Sequence, residues 1–192
     1  MLFFKRRPSE GPAPLPDAAT VPPSKVVKNL LRYAERQAES GGACRVLLCG
    51  PPSGPTIETF SARGCRVTVE GEAVPVLPLE HADGAFDLLL VFDQLDFLDD
   101  EKASALAAEW SRVLKSGGRI YLLSRQKSKG GRPRLHVDVR SDGMLALKTL
   151  GPGGGGTNLR SNRQVEMLLE PLKVEEILLR RDGLREISGK AR

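Results

Sequence analysis

The segment from Arg45 to Ser124 alternates short apolar runs with helical patterns, and this alternation constrains the fold more than any other feature of the chain. Arg45 to Cys49 is an apolar run that ends on Gly50-Pro51-Pro52-Ser53-Gly54. Thr56 to Ala62 suits a helix, and Gly64 ends it. Arg66 to Glu70 is rich in β-branched residues, which fit a pleated strand. Asp87 to Phe92 is apolar after its first residue, as a strand buried on both faces should be. Lys102 to Leu114 sets Ala103, Leu106, Ala107, Trp110 and Leu114 at helical spacing, Ser116-Gly117-Gly118 closes it, and Arg119 to Ser124 returns to strand. Strands that alternate with helices predict an α/β fold with a parallel sheet and helices on both faces.

The flanks follow other rules. Residues 1–23 hold six of the fourteen prolines and no hydrophobic period. They read as a disordered, basic arm, because proline removes a backbone donor and disfavours helix. Ser24 is a candidate N-cap for a helix from Lys25 to about Glu39, stopped by Gly41-Gly42. Downstream, residues 125–134 carry five basic side chains and no acid, and read as a loop. Leu135–Arg140 and Met144–Leu150 flank the turn Ser141-Asp142-Gly143, which predicts a hairpin. After a Gly-rich stretch, Asn162 to Leu169 reads as a short helix. Val174–Arg180 and Leu184–Ile187 flank Arg181-Asp182-Gly183, a second hairpin. Residues 24–192 are therefore expected to form one domain: a core over 44–124, a basic loop, hairpin and Gly-rich insertion over 125–160, and a final helix and hairpin over 161–192.

Charge and cysteine usage narrow the partners. The net charge of +5 divides into +3 for residues 1–40, −5 for 41–124 and +7 for 125–192. A nucleic-acid module of uniformly basic character would not divide this way, and no aromatics interleave the basic loop, so nucleic acid is not the expected partner. The loop cations Arg125, Lys127, Lys129, Arg132 and Arg134 are the candidate contact for a protein partner. Cys44, Cys49 and Cys65 are odd in number and lack CxxC spacing, so they read as small buried side chains in a reducing cytoplasm. His81 and His136 stand apart from any metal-ligand spacing and read as surface or loop residues, with no metal site. The run Leu88 to Phe92 is far too short to cross a bilayer, and the charges at Lys5-Arg6-Arg7 follow a small apolar patch, the reverse of a secretory signal. No membrane insertion is expected.

Three segments carry a family likeness. Val46-Leu47-Leu48-Cys49-Gly50-Pro51-Pro52-Ser53-Gly54 stands where a strand runs into a Gly-x-Gly-x-Gly loop. Leu77-Pro78-Leu79-Glu80-His81-Ala82-Asp83-Gly84-Ala85-Phe86-Asp87 is similar to an LPF-x-DGSFD run. Glu109-Trp110-Ser111-Arg112-Val113-Leu114-Lys115-Ser116-Gly117-Gly118-Arg119 is similar to E-x-x-RVLKPGG-R. In this order and spacing the chain resembles the class I S-adenosylmethionine-dependent methyltransferases of methyltransferase type 11. The resemblance implies a Rossmann-like open, mostly parallel twisted sheet with helices on both faces and a C-terminal antiparallel hairpin.

The resemblance also implies a site. Open α/β sheets bind ligands outside the carboxyl ends of their strands, where a glycine-rich turn lets backbone approach the ligand. It places S-adenosylmethionine there as cofactor, with Gly50, Ser53 and Gly54 beside its methionine and ribose portions and Glu70 on the ribose. Phe92 and Asp93 would face the donor or acceptor, and Asp93 and Asp96 are the candidate catalytic bases toward an unidentified methyl acceptor. Three departures point the other way. Leu48 replaces an acidic residue, Pro51-Pro52 stiffen the loop without amide donors, and the fifteen residues Gly71 to Ala85 replace a helix and a strand. Two functions follow: methyl transfer from S-adenosylmethionine, or a non-catalytic relative acting as a partner-binding or regulatory module.

Overall fold

The computed structural model describes residues 23–71, 75–126, 134–150 and 158–192. The arm therefore lies, but for Pro23, outside the described residues, as do 127–133 of the basic loop and the Gly-rich stretch. The elements in chain order are α1 (Lys25–Glu39), β1 (Arg45–Cys49), α2 (Gly54–Ser61), β2 (Arg66–Glu70), β3 (Phe86–Phe92) and α3 (Asp100–Val113), followed by β4 (Leu114–Arg125), β5 (Arg134–Val139), β6 (Leu145–Leu150), α4 (Asn162–Leu168), β7 (Leu172–Leu179) and β8 (Leu184–Ala191). Among the described residues no helix is long and apolar enough to cross a membrane.

Six strands form one sheet in the order β2-β1-β3-β4-β8-β7. β2, β1, β3 and β4 pair in parallel, and β8 joins β4 antiparallel with β7 outside it. Side chains alternate along each strand, so the sheet builds two cores. Leu47, Leu89, Val91, Ile120 and Leu122 pack with α3 and α4 on one face. Val46, Leu48, Leu88, Leu90, Phe92 and Leu123 pack with α1 and Phe60 of α2 on the other. Every residue of β3 is buried, Asp87 included; its carboxylate accepts from Arg45 N at 2.8 Å, which offsets the cost of burying charge.

Two features set the details of the sheet, and the first departs from expectation. Ser116-Gly117-Gly118 does not cap α3: the helix ends at Val113 and Leu114 already opens β4. Pairing jumps from Phe86 with Leu114 to Leu88 with Arg119, so the Ser-Gly-Gly turn becomes a bulge in the strand. A Cβ on Gly118 would stand 2.8 Å from Lys115 O, which is why a glycine occupies the bend. Second, β2 ends the sheet, and the described residues between Glu70 and Phe86 form neither helix nor strand. Arg112 of α3 ties this short connection down, donating to Leu79 O at 3.0 Å, His81 O at 2.7 Å and Asp83 Oδ1 at 2.7 Å.

The β5–β6 hairpin stands apart as its own two-stranded sheet. It lies on the α1/α2 face, where Leu135, Val137, Val139 and Leu145 enter the core. At its turn, Gly143 O accepts from Ser24 N, the residue that caps α1, at 3.0 Å. The insertion is thus packed into the domain.

Candidate functional site

The crevice expected from the fold opens where β1 and β3 end. Gly50 leaves β1 with φ +134, a conformation that favours glycine, and a Cβ there would meet Phe92 O at 3.4 Å. Its N–H is already used by Glu70 O at 3.0 Å. Pro51 and Pro52 supply no N–H. Ser53 then caps α2, its Oγ accepting from Thr56 N. Gly54 opens the helix at the surface, with free space where a Cβ would be.

Ser53 is fully buried, and what buries it is the hairpin. Its hydroxyl donates to Asp138 Oδ1 of β5 at 2.7 Å. Thr56 and Thr59 lie one and two turns further along α2 on the same face. Thr56 Oγ1 accepts from Val139 N at 2.9 Å, and Thr59 Oγ1 donates to Val139 O at 2.9 Å. Two threonine hydroxyls therefore bond the backbone edge of β5, and the serine hydroxyl holds the Asp138 side chain beside it. Asp138 also pairs with His136 Nε2 at 2.9 Å and Lys148 Nζ at 3.4 Å. Burial would raise its carboxyl, but the Ser53 hydroxyl, His136 and Lys148 outweigh it and hold the group below the ordinary carboxylate value.

The candidate bases are also enclosed. Asp93 follows β3 with φ +58, the one non-glycine positive φ among the described residues, and is 2% exposed. Its Oδ2 accepts from Leu135 N of β5 at 2.8 Å and from Arg125 Nη2 at 3.2 Å. Burial pushes its carboxyl up to about 7, against the opposing pull of Arg125. Asp96, in the 3-10 turn Leu95–Phe97, accepts from Arg125 N at 2.7 Å, and burial pushes it up to about 6. A carboxyl near neutrality has the proton affinity of a general base. Here both carboxyls are bonded by their own chain and have almost no exposure to an acceptor.

Glu70 ends β2 half-buried, and its Oε1 lies 2.7 Å from His81 Nε2. The imidazole packs edge-on to Phe86. His81 was expected alone in a loop; it instead engages the proposed ribose ligand. Phe92 turns away from the crevice into the α1/α2 core, where its ring meets Tyr121 edge-on. Of the loop cations, Arg125 is buried against Asp93, and the Arg134 guanidinium lies 4.1 Å from the centre of the Phe97 ring. Sequence reasoning missed Thr56, Thr59 and Asp138. The three-residue spacing of Ser53, Thr56 and Thr59 was the available signal: buried hydroxyls on one helix face require partners.

With this geometry in view, the comparisons agree on the fold. Residues 32–122 match the family model described as a methyltransferase domain. The chain has the fold of the class I methyltransferases. Its structure is similar to that of CalS10, an amino pentose methyltransferase from Micromonospora echinaspora, with TM-score 0.58 and 14% identity over 91% of this chain and 94% of that one. It is similar to an S-adenosylmethionine dependent methyltransferase from Mesorhizobium loti, with TM-score 0.57 and 14% identity over 84% and 96% of the two chains. DesVI from Streptomyces venezuelae matches with TM-score 0.57 and 13% identity over 86% and 90%. No curated protein matches by sequence.

Proposed function

We propose that this chain of methyltransferase fold serves as a partner-binding or regulatory module and does not itself transfer methyl groups. One observation carries the reading: β5 takes both sides of the crevice, Ser53 through Asp138 and Asp93 through the Leu135 amide. The other candidate contacts are committed too, Gly50 N to Glu70 O and the Glu70 carboxylate to His81. As they stand, these groups do not fit S-adenosylmethionine, and no step is derived through it. A protein contact through the basic loop 125–134 belongs to this reading, with Arg125 itself buried against Asp93 and the Arg134 guanidinium over the Phe97 ring. The three free thiols suit a reducing, cytoplasmic setting.

A second reading is methyl transfer from S-adenosylmethionine to an acceptor of unknown identity. It is favoured by the Gly50 turn, whose missing Cβ allows close backbone approach, and by a carboxylate at the end of β2. Glu70 would then hold the ribose, and Asp93 or Asp96 would act as base, once β5 had left the crevice.

Titration calorimetry of the full chain with S-adenosylmethionine separates the two. Absence of saturable heat at millimolar ligand is the expected result. Saturable binding that Glu70→Ala abolishes, accompanied by transfer of a labelled methyl group, overturns the non-catalytic reading.

A further inference from the structure

Two of the three thiols meet at the end of the sheet opposite the crevice. Cys44 stands one residue before β1, and Cys65 one residue before β2. The two strands are parallel, with Arg45 opposite Arg66, and Arg66 N donates to Cys44 O at 2.8 Å. One further step of that register sets Cys44 opposite Cys65. Both side chains enter the α1/α2 core alongside Val46. Paired strands stand about 4.8 Å apart, within the Cα separation of about 4.4–6.8 Å that a disulfide needs.

Interaction with its neighbour pushes Cys44 up and holds Cys65 below the ordinary thiol value, and Arg63 favours the Cys65 thiolate further. Cys65 is the more open of the two, 6% exposed against 1% for Cys44. The pair therefore divides into an attacking and a resolving sulfur. Cys49 lies in the core of the other face and reaches neither.

We propose that Cys44 and Cys65 form a reversible disulfide when the protein meets a peroxide, and that this bond staples β1 to β2. The Cys65 thiolate attacks hydrogen peroxide; an S–O bond forms, the O–O bond breaks, and the departing hydroxide takes a proton to become water. The Cys44 sulfur then attacks the Cys65 sulfenic acid. The S–S bond forms, the S–O bond breaks, and the hydroxide leaves as water with the Cys44 proton. Two thiols lose two electrons in all, and one peroxide is reduced to two waters. The closed loop spans the Gly50–Gly54 turn and α2, the helix on which the hairpin docks. Cross-linking such a loop raises stability by restricting the unfolded chain.

The test uses the full chain, treated with hydrogen peroxide, denatured, labelled with N-ethylmaleimide and digested with trypsin without reduction. Labelled thiols should fall from three to one, on Cys49, and residues 37–45 should appear linked to residues 64–66. Dithiothreitol should restore all three labels. The same linked peptides should form in Cys49→Ser, whose oxidised form should melt at a higher temperature than its reduced form, while Cys44→Ala and Cys65→Ala should yield none. Retention of three labels, linkage through Cys49, or dimers on a non-reducing gel in place of the internal link overturns the proposal.

Discussion

The Ser53 hydroxyl, which caps α2, donates to the Asp138 carboxylate 2.7 Å away on β5. One oxygen thus ends a helix and holds down the hairpin that covers the strand ends. In a methyltransferase fold this serine follows the first strand, where the donor is expected. The chain has given its own insertion that position.

Ser53→Ala removes the cap and leaves a buried carboxylate short of a donor. Loss of a serine cap costs about 1 kcal/mol, and an underpaired buried polar group about 1–3 kcal/mol more. The expected destabilisation is therefore about 2–4 kcal/mol, read as a lowered urea midpoint with unchanged slope. A change below about 0.5 kcal/mol, the range of ordinary surface substitutions, would count against the hairpin contact.

Burial raises Asp93 to about 7 and Asp96 to about 6, well above the ordinary carboxylate range. A carboxyl raised on folding binds its proton more tightly in the folded state. Its contribution to stability is full below the unfolded value and is lost as pH rises through the folded value. Asp99, Glu109 and Asp138 are lowered and act in the opposite sense, losing their contribution as pH falls through their folded values. Stability should therefore fall between about pH 5 and pH 8. Asp93→Asn, which tolerates the positive φ, should flatten that slope in urea titrations. An unchanged slope would place the titrating group elsewhere.

Gly50→Ala and Gly54→Ala should differ sharply. Gly50 sits at φ +134 against Phe92 O, whereas Gly54 has open space at the first turn of α2. The first substitution should cost about 1–3 kcal/mol of backbone strain, and the second should be neutral or slightly stabilising. Melting temperatures of the two variants decide this without any ligand.

Arg112→Ala should free the connection between β2 and β3. Its guanidinium bonds two backbone carbonyls of that segment, Asp83, and Glu109 at 2.7 Å. Amide exchange over residues 75–85 should quicken while that of β3 stays slow. Arg112→Lys should not restore protection, because an ammonium cannot span the carbonyls and the carboxylates together.

Much of the fold was legible because its signals are local. The bounds of α1, β1 and β2 follow from spacing of apolar residues over a few turns or pleats, and Ser24 and Ser53 act as caps through bonds three residues away. The short connection from Gly71 to Ala85 announced that a helix and strand could not fit, and β2 ends the sheet. The Ser-Gly-Gly turn after α3 was read one element too early. Its glycines do mark a bend, but the neighbouring strand captures that bend as a bulge, a pairing that residues near the turn do not encode.

The candidate site divides differently. By itself the sequence determined which residues end the strands: Gly50, Glu70 and Asp93 all stand at the sheet's carboxyl edge, because each follows a short apolar run. What those residues touch was decided only by the tertiary structure. Asp138 lies 85 residues from Ser53, and Leu135 lies 42 from Asp93. Such contacts arise when the hairpin buries Leu135, Val137 and Val139 on the face between α1 and α2, and no period in the sequence states which surface an apolar hairpin face will cover. Strand ends are set by neighbours in the chain. The occupant of the crevice is set by the hydrophobic effect acting between distant segments, which is non-directional and selects its partner only through the shape of the folded whole.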